Sequence, residues 1–398
     1  MQKSVYLIIS GLLCFGFFKN NLFPTLTPNV QFFIMLAWSI WGWLYYKNPN
    51  EELYNLQHIK WAVVILILFF LSSLTPLFRY NQDLFSTWIA MRTDLLALYF
   101  ITLLKISPDE EDIFKSFKFL GILAVAMAVL VALSPNLFVD KEMLLRLIKR
   151  QKEGSTDVVA IWPGSACAVF YFYILLQKMS EQATLKNFAL CTIFAGYIFL
   201  MQNRSTMLCA IPFYLYVLLR TDIKYKSVII TMILLVSSTF LYNVVDGLIN
   251  ETQNQLSNVK YNRWQAISFF LLEQKGNLYT MLFGNGVPSN GSSYLAHIMQ
   301  AQRNRLAFVS DIGLLGTYFY YGLAMMFVIY KFVWKAIRLN GMPIYLRYYC
   351  WWILLVPTIH SLGLSNDLSL VNFSLIFYLV TYYENKSKNG CIDTNSQL

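Results

Sequence analysis

The chain has 398 residues, of which 57% are hydrophobic and only 13% are charged, and its mean hydropathy is +0.50. Ordinary soluble domains do not have this balance, whereas proteins with repeated apolar segments of membrane-spanning length do. The composition therefore argues against a soluble enzyme or binding domain. The formal charge of +10 also favours contact with anions.

Twelve apolar segments have roughly the length of a membrane-spanning helix, which predicts an all-α polytopic membrane protein with one integral membrane domain over residues 1–398. The first segment resembles the apolar region of a signal peptide, but it has no small-residue cleavage site and is expected to remain as a helix. Only Gln202–Ser205 separates the seventh segment from the eighth, which predicts a tight hairpin. The predicted spans are Val5–Phe18, Val30–Tyr46, Ile59–Phe78, Leu84–Leu104, Phe117–Leu133, Val158–Leu176, Phe188–Met201, Met207–Leu219, Val228–Val245, Leu306–Tyr330, Tyr345–His360 and Leu368–Tyr383.

The loops between these spans differ in their content of Lys and Arg. With both termini inside, seventeen of these residues fall in cytoplasmic segments, and the short outer loops contain only Lys19, Arg79 and Arg204. The positive-inside rule therefore predicts cytoplasmic termini. Two long outer loops remain, residues 134–157 and 246–305. Both are basic, so an anionic ligand is expected at the outer face.

The second long loop contains the groups best suited to chemistry. It includes a glycine-rich turn, Phe283–Pro288, and His297, the only histidine in either long outer loop. Histidine is the most frequent general base near neutral pH, so His297 is a candidate catalytic residue and His360 a weaker one. A lone loop histidine without a catalytic role is the alternative.

Asp311 lies a few residues into the tenth predicted span. An acid there is costly unless it is paired or faces water, so Asp311 is a second candidate catalytic residue. Arg303 and Arg305 lie just before the span and could form an ion pair with Asp311 or bind substrate directly.

Arg204 and Arg263 each precede an apolar helical segment at the outer side. The planar guanidinium fork suits phosphate oxygens, and a helix N-terminus favours anions. Both are therefore candidate substrate-binding residues. Arg204 could instead be an interfacial anchor, and Arg263 could be a solvated loop arginine.

Three further arginines are candidate ligand contacts. Arg92 lies within the fourth predicted span, and Asp94 is not on its helix face, so Arg92 needs another acid or an anionic ligand. Arg146 and Arg150 belong to a basic amphipathic stretch of the loop 134–157, which is typical of a helix that binds acidic headgroups or substrate.

The sequence contains no sign of a metal or cofactor site. Its Cys and His residues lack metal-ligand spacing, and no glycine pattern for nucleotide binding is present. Five of the six cysteines lie in apolar runs, and they are predicted to be buried thiols rather than a disulfide framework.

Together these features resemble the O-antigen polymerase and ligase superfamily of lipid-linked glycan transferases. The late, large outer loop agrees with that family, and the resemblance covers most of the chain. The motifs that support it are Asn203-Arg204-Ser205, Arg263-Trp264, Leu282-Phe283-Gly284-Asn285-Gly286, and Ser310-Asp311-Ile312-Gly313-Leu314-Leu315-Gly316 continuing to Tyr321-Gly322.

The resemblance implies a metal-independent glycosyltransferase with a GT-C-like helical membrane fold in a bacterial inner membrane. Its substrate would be an oligosaccharide linked to undecaprenyl diphosphate, and Arg204 and Arg263 would hold the diphosphate. A flippase and a chain-length regulator are the expected protein partners, and no nucleic acid is expected. Ligases of the superfamily have a histidine nearer the following helix than His297, which favours a polymerase.

Three other functions remain open from the residues. A ligase would transfer the finished glycan to a different acceptor. A flippase would move the lipid-linked unit across the membrane, although transporters usually show internal repeats and ionisable groups near the bilayer midplane. A scaffold without catalytic activity would tolerate loss of Arg204 and Arg263.

Overall fold

The computed structural model describes residues 1–18, 21–23, 28–47, 53–54, 56–139, 162–201, 204–221, 262–274, 277–305, 309–339, 341–359 and 371–388. Within these ranges 84% of the residues are helical and no strand is present. The all-α fold class predicted from the sequence is confirmed at this level.

The described ranges contain sixteen α-helices and two short 3-10 helices, Arg92–Leu98 and Val309–Ile312. The α-helices are α1 Lys3–Cys14, α2 Pro28–Tyr45, α3 Leu56–Tyr80, α4 Leu84–Ala90, α5 Tyr99–Ile106, α6 Glu110–Leu133, α7 Pro135–Phe138, α8 Ser165–Glu181, α9 Leu185–Leu200, α10 Arg204–Arg220, α11 Asn262–Gln274, α12 Leu278–Phe283, α13 Ser293–Arg305, α14 Leu314–Arg338, α15 Ile344–Ile359 and α16 Val371–Lys388.

Two helices of the described residues are long and apolar enough to cross a membrane, His58–Tyr80 within α3 and Glu110–Leu133, which is α6. They contain the third and fifth predicted spans. The helices α1 and α9 and most of α10 are apolar but shorter. The ninth predicted span, Val228–Val245, lies outside the described residues.

The chain divides into two compact units. One comprises Met1–Cys14, Leu26–Ile113 and Asn262–Leu398, and the other comprises Phe15–Thr25 and Phe114–Tyr261. In the second unit, α8 packs against both α9 and α10. Because α9 and α10 also pack on each other across residues 201–203, the predicted tight hairpin is confirmed.

The fourth predicted span, Leu84–Leu104, is not one continuous helix. It is divided into α4, the 3-10 helix Arg92–Leu98 and α5. The polar side chains at its centre are the physical reason, because buried Asp94 accepts a hydrogen bond from Tyr321. The Ser374 hydroxyl also lies within 2.9 Å of the Leu96 and Ala97 carbonyl oxygens. Its hydrogen bond replaces one that these carbonyls would accept within a regular α-helix.

The described part of the loop 246–305 is largely helical rather than irregular. The apolar helical segment predicted after Arg263 is confirmed as part of α11, in which Ala266 and Phe270 are buried four positions apart. Helix α13 was not predicted, because its apolar side is narrow. It buries only Tyr294 and Ile298 among the side chains described there.

The predicted burial of the cysteines is confirmed for the described ones. Among the described residues, five buried thiols are not in disulfides: Cys14, Cys167, Cys191, Cys209 and Cys350. Cys391 lies outside the described residues. These side chains pack as small apolar groups.

Candidate functional site

The glycine turn, residues Phe283–Pro288, forms backbone hydrogen bonds with the middle of α14. The Asn285 N–H donates to the Phe319 carbonyl oxygen at 2.8 Å, and the Gly286 N–H donates to the Tyr320 carbonyl oxygen at 2.9 Å. Two segments more than thirty residues apart are thereby joined through their backbones.

These bonds depend on a break in α14 at Gly322, where φ is 71° and ψ is −179°. The non-helical geometry interrupts the helical ladder, so carbonyls of the preceding turn can accept hydrogen bonds from another segment. Gly284 has nearly the same conformation, with φ of 82° and ψ of −179°. A Cβ at Gly284 would lie 2.2 Å from the Tyr320 carbonyl oxygen, and one at Gly322 would lie 2.3 Å from the Leu282 carbonyl oxygen. Both positions therefore require glycine.

Helix α3 supports the glycine turn from another side. Pro76 lies within α3 and has no N–H to donate to the Ser72 carbonyl. A Cβ at Gly286 would lie 2.6 Å from Pro76 Cγ and 2.9 Å from that carbonyl oxygen, so only glycine fits here. Thr75 Oγ1 donates to the Gly284 carbonyl at 2.7 Å, which fixes the turn on the helix.

Side chains at both ends of the turn add further hydrogen bonds. Buried Gln82 donates to the Val287 carbonyl at 3.0 Å and accepts from the Ser289 N–H at 2.9 Å. Tyr279 donates to the Leu71 carbonyl at 2.7 Å, and burial raises the pKa of its hydroxyl. A backbone segment held by so many bonds is preorganised.

Arg79 lies beside this turn at the C-terminal end of α3. The Asn285 side chain is 0% exposed, and its Oδ1 accepts from Arg79 Nη1 at 3.3 Å. The guanidinium also lies 5.3 Å from the centre of the Tyr80 ring. Arg79 is exposed although these contacts orient it, so its fork can still meet an anion.

Arg79 was not predicted as a site residue, because from the sequence it is only one of the few basic residues in the short outer loops. The available signal was the polar run Arg79–Asp83 directly after an apolar helix. From the sequence alone, a run of this kind at a helix end indicates an interfacial anchor. Its contact with Asn285 becomes visible only in the fold.

His297 lies in an aromatic cluster, which we define as Tyr80, Phe269, Tyr294 and His297. The rings of Tyr80 and Tyr294 stack with a separation of 4.1 Å and an angle of 9°. The half-buried imidazole lies 6.0 Å from the Tyr80 ring and 6.0 Å from the Phe269 ring. Because Tyr80 contacts both Arg79 and His297, a cation and a candidate base lie close to the same ring.

The elements that contain Arg263, His297 and Asp311 pack around one apolar core. Helix α11 begins at Asn262, α13 contains His297, and the 3-10 helix Val309–Ile312 contains Asp311. Arg303 and Arg305 lie in the last turn of α13. The shared core consists of Ala266, Phe270, Tyr294, Ile298, Val309, Ile312 and Phe319.

The remaining predicted site residues are described one by one. Arg92 donates to the Ile89 carbonyl and to the amide oxygen of Asn29, so its partners here are neutral rather than acidic. Arg204 begins α10 in the second unit. Arg146, Arg150 and His360 lie outside the described residues.

No family model, curated protein or solved structure matches the chain. Among the residues that the structure describes, no group of three His, Cys, Asp or Glu side chains could hold a metal ion. The side chains described around the glycine turn provide a guanidinium, an imidazole, amide groups and aromatic surfaces.

Proposed function

We propose that this chain is a multi-pass glycosyltransferase of a bacterial inner membrane, with about twelve spans and cytoplasmic termini. It would join oligosaccharide repeat units that are linked to undecaprenyl diphosphate, in the manner of an O-antigen or capsular polymerase. The two long apolar helices and the composition support the membrane location.

One observation provides most of the support. Two of the four segments that resemble the family, Leu282–Gly286 and the stretch from Ser310 to Gly322, are hydrogen-bonded to each other through Asn285–Phe319 and Gly286–Tyr320. The helix that begins beside Arg263 and the helix that contains His297 pack on the same apolar core. Motifs that belong to one catalytic site are expected to converge in this way.

The proposed reaction is a displacement at the anomeric carbon of one repeat unit. A hydroxyl oxygen of the acceptor sugar attacks this carbon, the bond from the carbon to the diphosphate oxygen breaks, and undecaprenyl diphosphate leaves with the electron pair. A base takes the hydroxyl proton. The leaving group is already activated, so the protein has to orient the hydroxyl and stabilise charge on the diphosphate.

Each candidate residue has a role in this proposal. Arg204 and Arg263 take the diphosphate by resemblance, and Arg79 is added because it is oriented beside the glycine turn. His297 is the proposed base, and Asp311 is the alternative. The remaining predicted contacts to glycan or lipid are Arg92, Arg146, Arg150, Arg303 and Arg305.

An assay of the reaction products distinguishes the polymerase from the two alternatives, a ligase and a flippase. Purified protein in detergent would be incubated with undecaprenyl-diphosphate-linked repeat units as the sole substrate, and the products would be separated on a gel. A polymerase produces a ladder. A ligase produces glycan transfer only after a second acceptor is added, and a flippase produces neither product but moves the lipid-linked unit across a vesicle membrane.

Arg79→Ala is expected to weaken the reaction through loss of the guanidinium next to the diphosphate. A hydrogen bond to a charged group contributes about 1.5–3 kcal/mol, so kcat/KM should fall by roughly 10- to 100-fold. Steady-state rates over a range of lipid-linked substrate concentrations measure this fall.

The matched control for this variant is Arg338→Ala. Arg338 is also exposed, and its guanidinium lies 4.4 Å from the Trp334 ring, but it is at the last residue of α14. Its replacement should leave kcat/KM within about twofold of wild type, as expected for a surface substitution. Equal losses in the two variants would show that Arg79 has no specific role.

A further inference from the structure

Asp94 is a buried acid that the proposed reaction does not use. It is 4% exposed, lies on the 3-10 helix Arg92–Leu98 and falls within a predicted membrane span. Ionisable groups at such positions are costly and are retained when they have a defined partner and role. Its carboxylate accepts a hydrogen bond from Tyr321, which is fully buried.

Tyr321 connects this acid to the glycine turn. It directly precedes the break at Gly322 and directly follows Tyr320, whose carbonyl oxygen accepts from the Gly286 N–H. Ser72 Oγ donates to the same carbonyl at 2.6 Å. The position of the Tyr321 side chain therefore constrains the backbone to which the turn is bonded.

The acid itself is held by its surroundings. The Asp94 N–H donates to the Met91 carbonyl at 2.9 Å, and Ser374 Oγ lies 2.7 Å from the Leu96 carbonyl oxygen on the same 3-10 helix. The Tyr321 ring also packs edge-on against Phe69 of α3, with 5.4 Å between the ring centres. The hydrogen bond between Asp94 and Tyr321 thus links the 3-10 helix Arg92–Leu98 to the segment of α14 that accepts hydrogen bonds from the turn.

We propose that Asp94, through Tyr321, sets the position of the glycine turn and is a positioning residue of the site. This inference rests on the proposed function for its effect on catalysis. In this proposal Asp94 acts on the turn through Tyr321, the Tyr320 carbonyl and Gly286, rather than by contact with substrate. The interaction that matters is the hydrogen bond accepted from Tyr321, rather than the negative charge.

The test compares Asp94→Leu, Asp94→Asn and Tyr321→Phe in the full-length purified protein. Asn retains an acceptor oxygen for the Tyr321 hydroxyl, whereas the other two variants remove the bond. Hydrogen exchange of the Asn285 and Gly286 amides reports on the turn, with the amides of α8 as an internal control in the other unit. Polymerisation kinetics report on catalysis.

Asp94→Leu and Tyr321→Phe are expected to speed exchange at Asn285 and Gly286 while leaving α8 unchanged. They should lower kcat about 100-fold, with much less change in KM, because a misplacement of about 1 Å has an effect of this size. Asp94→Asn should remain within about tenfold of wild type, since a neutral acceptor weakens the bond but keeps it.

Two results would overturn the proposal. One is an Asp94→Asn variant as impaired as Asp94→Leu, which would assign the role to charge. The other is unchanged exchange of the turn in Tyr321→Phe, a variant that removes a single hydroxyl and keeps the fold testable even if Asp94→Leu does not fold. The exchange experiment needs no substrate, so it decides the positioning role even when the wild type forms no ladder.

Discussion

Gly284→Ala is expected to slow polymerisation about 100-fold and to lower the Tm of the purified protein by several degrees. The Gly284 backbone, with φ of 82° and ψ of −179°, lies in a region that is essentially restricted to glycine. Its new Cβ would also lie 2.2 Å from the Tyr320 carbonyl oxygen, a backbone atom that cannot move aside alone. Strain and overpacking together should cost about 3 kcal/mol or more.

The loss of activity should exceed what the loss of stability explains. To relieve the clash, the turn must separate from α14, which breaks the Asn285 and Gly286 hydrogen bonds and releases the amide that holds Arg79. Rates should be measured at a temperature where thermal unfolding shows that the variant is still folded. The expected fall in kcat under those conditions is about 100-fold.

Gly291→Ala is the matched control. Gly291 also has a positive φ, 79°, but apart from its chain neighbours no atom of the described residues lies within 4 Å of the position that a Cβ would take. In this variant only the strain of the left-handed backbone should lower the free energy of unfolding, by about 1–2 kcal/mol, and most of the activity should remain. If Gly284→Ala were no worse than Gly291→Ala, the close contact between the glycine turn and α14 would have no functional importance.

Arg263→Ala is expected to remove the ladder of polymerised products. The proposed role of Arg263 is to stabilise charge on the departing diphosphate, and loss of one such donor typically lowers kcat about 100- to 1000-fold. The position of Arg263 as the second residue of α11 adds to this role, because an anion is favoured at a helix N-terminus. Single-turnover rates with lipid-linked repeat units measure the chemical step.

Arg263→Lys separates charge from geometry. Lysine keeps the positive charge but lacks the planar fork that binds two phosphate oxygens together, so its rate should lie between those of wild type and Arg263→Ala. Arg338→Ala again serves as the control for loss of an arginine elsewhere. A full ladder from Arg263→Ala would remove Arg263 from the site and leave Arg204 and Arg79 as the diphosphate ligands.

Periodicity and length predicted the parts of the fold that depend on local sequence. The helix after Arg263 was predicted because Ala266 and Phe270 lie on one face, and the hairpin between α9 and α10 was predicted because too few residues separate them for any other connection. The location of the candidate site in the loop 246–305 followed from its concentration of cationic and histidine side chains.

The interruptions of the predicted spans could not be foreseen in the same way. Gly322 and Asp94 were visible in the sequence, but neither residue indicates which remote segment compensates the lost helical bonds. The partners are Asn285, Gly286, Tyr321 and Ser374, and only the fold brings them together. Hydrogen bonds between backbone groups also involve atoms that nearly every residue has, so residue types do not predict which backbone groups will pair.

Arg79 illustrates the same limitation for the candidate site. From the sequence it is an arginine at the end of an apolar helix, which most often anchors that helix at the membrane surface. Its significance depends on Asn285 and Tyr80, and the first of these is 206 positions away. The sequence predicted the region of the candidate site, whereas the structure shows which of the described side chains meet there.

The most direct test of the proposed function is the yield of free undecaprenyl diphosphate in the reconstituted reaction. Purified wild-type protein would receive lipid-linked repeat units and no other acceptor, and the released lipid diphosphate would be compared with the new glycosidic bonds counted from the product ladder. The proposed polymerase should release one lipid diphosphate for each bond formed. Intact lipid-linked repeat units with no released lipid and no ladder would contradict it.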